Sequence, residues 1–346
     1  MPAISGANPI VASDVDNFTG ELFKITPTRT PLLAAAGGLN GGIVTNSTFF
    51  QFQTQDNVTV SSVTPGVEGG QPNYSGQSRS SVQGVLEIFH EAVQISFTAQ
   101  AASGEIVPFD LSANYKNGID KLALEGTNQV TDELAYQMTL LLETIAKKVE
   151  FQAFNGTFND GSTSGQNRQM RGLAAHVNLA GGNIENHDTA GDGSGSNQKL
   201  SWSAVTNLMK TMYTAGSPMK NPVLFCSPAQ LLDLNNEVIK GTAASGSTNY
   251  GILPRDRNVG GVDIDTLVTP FGTIGMALSD YLPANKAYIV DLAFVKPVFL
   301  NIPGHGTMFV RDIDQDDFAR MAKAVYMEMG FDFGPQQYHG EIKGVA

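Results

Sequence analysis

The strongest pattern along the chain is a stripe of apolar residues at three- and four-residue steps between 127 and 154: Val130, Leu134, Met138, Leu141, Leu142, Ile145 and Val149. That spacing predicts an amphipathic helix over Thr127 to Phe154. Asp132 and Glu133 suit its positive end, Glu143 and Lys147 pair one turn apart, and Asn155-Gly156 supplies the stop. At 1.5 Å per residue it would run roughly 40 Å, a beam across a flat lobe. A coiled coil fits less well, because the stripe spans only about four heptads and its flanks lack regular charge pairing.

Upstream the period changes to two. Phe50 and Phe52 alternate with Gln51 and Gln53, and Val93, Ile95 and Phe97 with Gln94, Ser96 and Thr98, which predicts half-buried strands. The intervening "TPGVEGGQPNYSGQSRSS" is rich in turn formers, so 43–100 reads as a long two-stranded ribbon with a turn-rich tip. A ribbon of this kind is marginal alone in water. Residues 1–42, with "ITPTRTPLLAAAGGLNGG", form an arm too short and irregular to cover it. Another subunit is the expected cover, with Arg29, Leu32 and Leu33 of the arm and Phe50, Phe52, Val93, Ile95 and Phe97 of the ribbon as candidate inter-subunit contacts.

Downstream, two loops rich in Gly, Ser and Asn, 156–167 and from 181, mark the seam of a second lobe. There Ser201 caps a helix with Trp202, Val205, Leu208, Met209 and Met212 on one face, ended by Gly216. "PVLFC" reads as a short buried strand, and Ser227-Pro228 starts a helix carrying Leu231, Leu232 and Val238. After a Gly-rich loop come "VDIDTLV", the hairpin "TLVTPFGTIGMALSDYLP" and "KAYIVDLAFVKPVFL", read as three closing strands. The fold class is therefore α+β. Residues 318–333 match both periods, and a helix-like start turning to strand is expected.

Composition narrows the function. At 346 residues two packed lobes are expected. Hydrophobic residues at 41% are ordinary, but charged residues at 16% fall well below the usual quarter. A surface of small uncharged polar groups has little to desolvate when covered, which suits a protein that touches others. The net charge of −12 opposes binding to a phosphate backbone. Cys226 is the single cysteine and has apolar neighbours, as an inert buried thiol would. The first residues, "MPAISGANPIVASDVDNF", lack the pattern of a signal peptide, and no apolar run reaches the length of a membrane span. A cytosolic product with no membrane partner is expected.

Reactive groups are sparse. His90, His176, His187, His305 and His339 lie far apart with no companion cysteines, so no zinc spacing arises. "DIDQDD" places Asp312, Asp314 and Asp316 like the start of a calcium loop, yet Asp317 replaces the needed Gly and Lys323 the bidentate Glu. A solvated acidic turn is preferred there over a cation site. Arg255 and Arg257, in a segment read as a mobile loop, suit solvent or pairing with Asp256 and Glu237. Asp263 and Asp265 face one side of a strand, but a carboxylate pair specifies no reaction by itself. With no nucleophile elbow, dinucleotide fingerprint or phosphate loop, no catalytic residue and no cofactor is expected.

The order of these parts resembles the major capsid proteins of tailed double-stranded DNA phages, which share the Hong Kong 97 fold. The stretches that carry the resemblance are "ITPTRTPLL", "EAVQISFTAQA", "ELAYQMTLLLETIAKKVEFQAFNG", "NRQMRGL", "FGTIGMALSDYLPANKAYIVDL", "DIDQDDFARMAKAVYMEMG" and "YHGEIKGV". It implies an N-terminal arm (1–42), an extended loop (43–100), a peripheral domain (101–171 and 300–346) built on the spine helix, and an axial domain (172–299). The hairpin would brace the axial sheet near a local symmetry axis.

Hexamers and pentamers of a shell enclosing DNA are implied, with itself as main partner, a separate scaffolding protein or none, and a portal and a cement or decoration protein as further candidates. Some relatives link a loop Lys to an Asn of another subunit. This chain has no Lys between Lys24 and Lys116, so that linkage is not expected. An encapsulin-like compartment of the same fold is one alternative. A monomeric hydrolase or ligand-binding protein is the other.

Overall fold

A computed structural model describes residues 29–39, 41–55, 65–66, 68–71, 79–97, 133–163, 166–192, 195–240, 252–259, 262–313 and 320–346. The side chains of 133, 238–240, 252–259 and 262–265 are outside this description. Residues 1–28, much of the ribbon tip and the expected helix start at 127–132 also lie outside it. The chain divides into two units. The larger comprises Arg29–His90, Ile145–Phe309 and Tyr326–Ala346, and the described residues of the smaller fall in Glu91–Thr144 and Val310–Val325.

The larger unit contains a seven-stranded sheet in the order β5-β14-β10-β6-β9-β8-β7. Its strands are β5 (Asn183–Asn186), β6 (Pro222–Cys226), β7 (Ile252–Val259), β8 (Val262–Thr269), β9 (Gly272–Leu278), β10 (Lys286–Asp291) and β14 (His339–Lys343). All five residues of β6 are buried, as a central strand covered on both faces requires. Alternation sends Leu224 and Cys226 toward α4 (Trp202–Thr214), where Val205, Leu208, Met209 and Met212 complete one core. The opposite face carries Phe225, whose ring meets Phe154 at 5.6 Å; Phe154 in turn lies 6.3 Å from Tyr288. Phe154 belongs to the long helix α2 (Glu133–Asn155).

Both helices on the sheet are capped as expected. Ser201 Oγ accepts from the Ala204 amide at 3.3 Å. Ser227 and Gln230 form a reciprocal box at the start of α5 (Pro228–Lys240), Ser227 N to Gln230 Oε1 at 3.0 Å and Gln230 N to Ser227 Oγ at 3.3 Å. The buried face of α5 differs from the expected one. Leu234 is buried and Leu231 packs on the core, while Leu232 is 60% exposed.

A second sheet has the order β1-β11-β13-β12, with β4 also on β13. Its members are β1 (Ile43–Thr45), β4 (Glu87–Ser96), β11 (Lys296–Leu300), β12 (Met308–Asp312) and β13 (Arg320–Asp332). Three expectations change here. From Arg320 onward the tail is a single strand of thirteen residues, where a helix-like start was expected, because tertiary pairing with β11 and β4 outweighs the weak helical stripe. "KAYIVDLAFVKPVFL" splits between two sheets, β10 in the first and β11 in the second. Finally, 339–343, expected with the lobe built on the long helix, pairs with β10 and β5 in the seven-stranded sheet.

The ribbon pairs differently from its expected form. β2 (Phe49–Gln55) pairs with β3 (Arg79–Val85), whose first three residues were read as part of the turn-rich tip, whereas Val93 and Ile95 belong to β4 and Phe97 follows it. The reason is steric. Phe50 stands opposite Gly84, and a Cβ on Gly84 would come 2.2 Å from the Phe50 ring. Only glycine leaves that space.

Candidate assembly interface

Pro31–Ala36 form a short helix, α1, with Pro at its start. Its first free amides are met by Glu150 of α2: Leu32 N donates to Oε1 at 2.9 Å and Leu33 N to Oε2 at 2.8 Å. Glu150 is fully buried. Burial pushes its carboxyl up to about 7, the two amides pulling the other way. Leu32 and Leu33 are 0% and 2% exposed within their own chain. A side chain with no surface has none to offer a partner, so these two expected contacts are corrected to intrachain anchors, while Arg29 beside them is exposed.

The ribbon face is likewise covered in part by its own chain. The half-buried Phe52 ring lies 5.9 Å from the His176 ring, which lies 5.5 Å from Phe333 and 6.0 Å from His339. Phe50 is half-buried and also approaches Gly330. Burial holds His339 down to about 4 and His176 down to about 3, so both rings are neutral at physiological pH. His339 Nε2 meets the Phe333 carbonyl at 2.6 Å, and its Nδ1 accepts from Asp291 N at 3.3 Å.

In the smaller unit Val93 is half-buried and lines a shallow pocket of about 180 Å³ with Leu140 and Leu141. Ile95 is 7% exposed, and Phe97 is 50% exposed. Thus Arg29 and Phe97 are the expected contacts with most free surface. The expected contacts divide between the two units, the arm and β2 residues in the larger and Val93, Ile95 and Phe97 in the smaller.

Apolar surface also appears where local patterning carries no strong signal. Among the described residues β1 is an edge strand, and its Ile43 and Val44 are 43% and 57% exposed. At the end of α4 the 66% exposed Tyr213 ring meets Phe271 at 6.0 Å, on the tip of the β8–β9 hairpin. Thr269 Oγ1 shapes that tip by donating to the Gly272 carbonyl at 2.6 Å. Tyr213 follows Met212, which points into the core, so helical periodicity assigns it to an outer face. Its aromatic character is the signal that could have marked it.

Several polar groups are committed to structure. A cleft of about 690 Å³ is lined by Phe49, Ile88, His90, Glu87 and Arg168 among others. Arg168 is held by Glu328 at 2.9 Å, and Glu87 accepts from Met170 N at 3.0 Å and Gln152 Nε2 at 3.2 Å. Ser201 Oγ sits 3.2 Å from His187 Nε2. However, that nitrogen meets the Lys199 carbonyl at 2.9 Å and so carries its proton, which leaves it unable to act as a base toward Ser201. Asp312 pairs with Lys323 at 3.2 Å, while Asp314 and Asp316 lie outside the described residues. Arg255 and Arg257 lie on β7, a strand where a loop was expected. Glu237 accepts from Trp202 N at 2.8 Å. The Cys226 thiol is fully buried and pushed up to about 12.

Solved structures that this fold resembles include shells. The capsid asymmetric unit of cyanophage A-1(L) aligns with a TM-score of 0.59 at 11% identity, covering 96% of this chain and 98% of that one. The capsid of a native GTA particle gives 0.56 at 13%, covering 97% of each chain. The holo-SrpI encapsulin complex of Synechococcus elongatus PCC 7942 gives 0.53 at 13%, covering 94% and 92%. A search of curated proteins gives no match. The fold is therefore of the Hong Kong 97 type, α+β in content. Within it, this chain belongs to the SU10 major capsid protein family, whose model matches residues 5–346. Its role is structural: it forms a capsid shell.

Proposed function

We propose that the protein assembles in a bacterial host cytoplasm into hexamers and pentamers, and that these close as an icosahedral shell around the double-stranded DNA of a tailed phage. The observation that carries this reading is the exposed apolar edge strand β1, with Ile43 and Val44 uncovered, on a chain of a capsid-building family. An edge of this kind is a template for pairing with another chain. The arm (1–42), extended loop (43–100), peripheral domain (101–171 and 300–346, its last strand β14 crossing to pair in the seven-stranded sheet) and axial domain (172–299) are the proposed working parts. Arg29, Phe97, Tyr213 and Phe271 are the side chains proposed to meet neighbouring subunits, with Phe50, Phe52, Val93 and Ile95 contributing their uncovered edges.

The net charge of −12 suits a wall that encloses DNA without gripping it. Chemistry on a foreign substrate has no part in this reading. A separate scaffolding protein, a portal and a cement protein are the proposed further partners. An encapsulin-like compartment is the second reading, supported by the SrpI likeness, and particle contents separate the two. Negative-stain microscopy of the protein purified from phage-infected cells tests the proposal: closed shells containing nucleic acid support it, shells filled with a cargo protein favour the second reading, and uniform small particles reject both.

A further inference from the structure

The last strand places an amine, a carboxamide and a carboxylate in mutual contact. Lys343 Nζ is 2.8 Å from Asn178 Oδ1, at the C-terminal cap of α3 (Leu173–Val177). Asn178 Nδ2 donates to Glu341 Oε2 at 2.9 Å and to the Ala174 carbonyl at 2.5 Å. Lys343 Nζ lies 3.7 Å from the same Glu341 Oε2. The neighbours fix the amide orientation, because lysine only donates and an ionised carboxylate only accepts. One carboxylate oxygen therefore stands between the amine nitrogen and the amide nitrogen. Strand alternation puts Glu341 and Lys343 on one face of β14.

Glu341 is held rigidly. Its side chain is fully buried, and Oε1 accepts from Tyr288 Oη at 3.1 Å and from Lys286 Nζ at 2.6 Å. Lys343 keeps 31% of its side chain exposed, which gives its ammonium a route to lose a proton to solvent. Asn178 is exposed, so a small leaving group can escape. These are the parts of a transamidation: a positioned nucleophile, an amide carbon, and a base hydrogen-bonded to the leaving nitrogen and at ion-pair distance from the nucleophile.

We propose that Lys343 and Asn178 join in an intrachain isopeptide bond, with Glu341 as the proton carrier. The neutral Nζ attacks Cγ of Asn178 and a C–N bond forms. Glu341 Oε2 takes the proton from Nζ and delivers it to Nδ2. The Cγ–Nδ2 bond breaks, one ammonia leaves, and a secondary amide remains. Nothing is oxidised or reduced, and no water is consumed. The link closes a loop between residues separated by 165 positions, spanning every strand of the seven-stranded sheet. A crosslink of that span restricts the unfolded chain. It differs from the inter-subunit linkage that the absence of a loop Lys disfavours, and it does not rest on the shell reading.

The test is intact-mass analysis and tryptic mapping of the full chain, denatured after incubation in its folded form at pH 7 and pH 9. The expected result is a mass lower by one ammonia, about 17 Da, a branched peptide joining Lys343 to Asn178, and faster conversion at pH 9, since the neutral amine is the nucleophile. Lys343→Arg and Asn178→Ala keep the full mass, and Glu341→Gln converts about 10²-fold more slowly. Full mass without a branched peptide in the wild-type protein overturns the proposal, whatever the variants do. So does an ammonia loss mapped elsewhere, such as ring closure at Asn155-Gly156.

Discussion

Replacing Glu150 with Gln separates the anchoring of α1 from the charge that performs it. The carboxyl is fully buried and shifted from its ordinary 4.5 to about 7. At about 1.4 kcal/mol per pH unit, that displacement corresponds to about 3 kcal/mol. Because the folded chain holds this proton more tightly than the unfolded chain, the contribution is favourable at low pH and is lost as pH rises from 4.5 through 7. Glu150→Gln removes the dependence and leaves a constant cost of about 1–3 kcal/mol for the amide of Leu32 or Leu33 that loses its acceptor.

Urea unfolding followed by the fluorescence of Trp202, the single tryptophan, measures both proteins from pH 4.5 to 8. Trp202 lies in the same unit as Glu150, and the histidine contributions cancel in the difference. The stability of the wild type relative to the variant should fall by about 3 kcal/mol across that range. A difference independent of pH would show that Glu150 is not the buried, titrating anchor described here.

Other consequences follow from the same packing. Gly84→Ala drives its methyl into the Phe50 ring and should cost about 1–3 kcal/mol; adding Phe50→Leu should recover part of this, measured by thermal unfolding. Cys226, buried with its thiol near 12, should react with a disulfide reagent no faster than the chain unfolds. A thiol labelled within seconds in the native protein contradicts that. His339 is held near 4 against an ordinary 6.5, so its neutral form favours the fold and the advantage shrinks as pH falls from 6.5 toward 4. His339→Gln should lessen the acid-induced loss of stability by up to about 3 kcal/mol in that window, read by the same urea titrations.

Local chemistry makes several elements legible from the residues alone. The Ser201 and Ser227 caps, the apolar run 222–226 and the stripe through Ile145 and Val149 each depend on neighbours in sequence. What escapes such a reading depends on partners far along the chain. "RSSVQGV" has no apolar alternation strong enough to announce a strand; it becomes one because Gly84 receives the Phe50 ring. β7 is hidden by Pro254 and two arginines, and it exists because β8 offers it an edge. The Glu150 anchor joins residues 118 positions apart, a pairing no local period encodes. Among the expected contacts, Arg29 and Phe97 are exposed, whereas Leu32 and Leu33 lie inside, because an apolar pair in a short arm carries no mark of whether its own chain or a neighbour covers it.

The shell-forming role is tested most directly by sedimentation velocity of the purified full-length protein across micromolar concentrations at physiological salt. Boundaries much faster than a 36.8 kDa monomer, belonging to capsomers or closed particles, are the predicted result. A single slow boundary of one chain at every concentration, with or without proteins from the same phage, would contradict it.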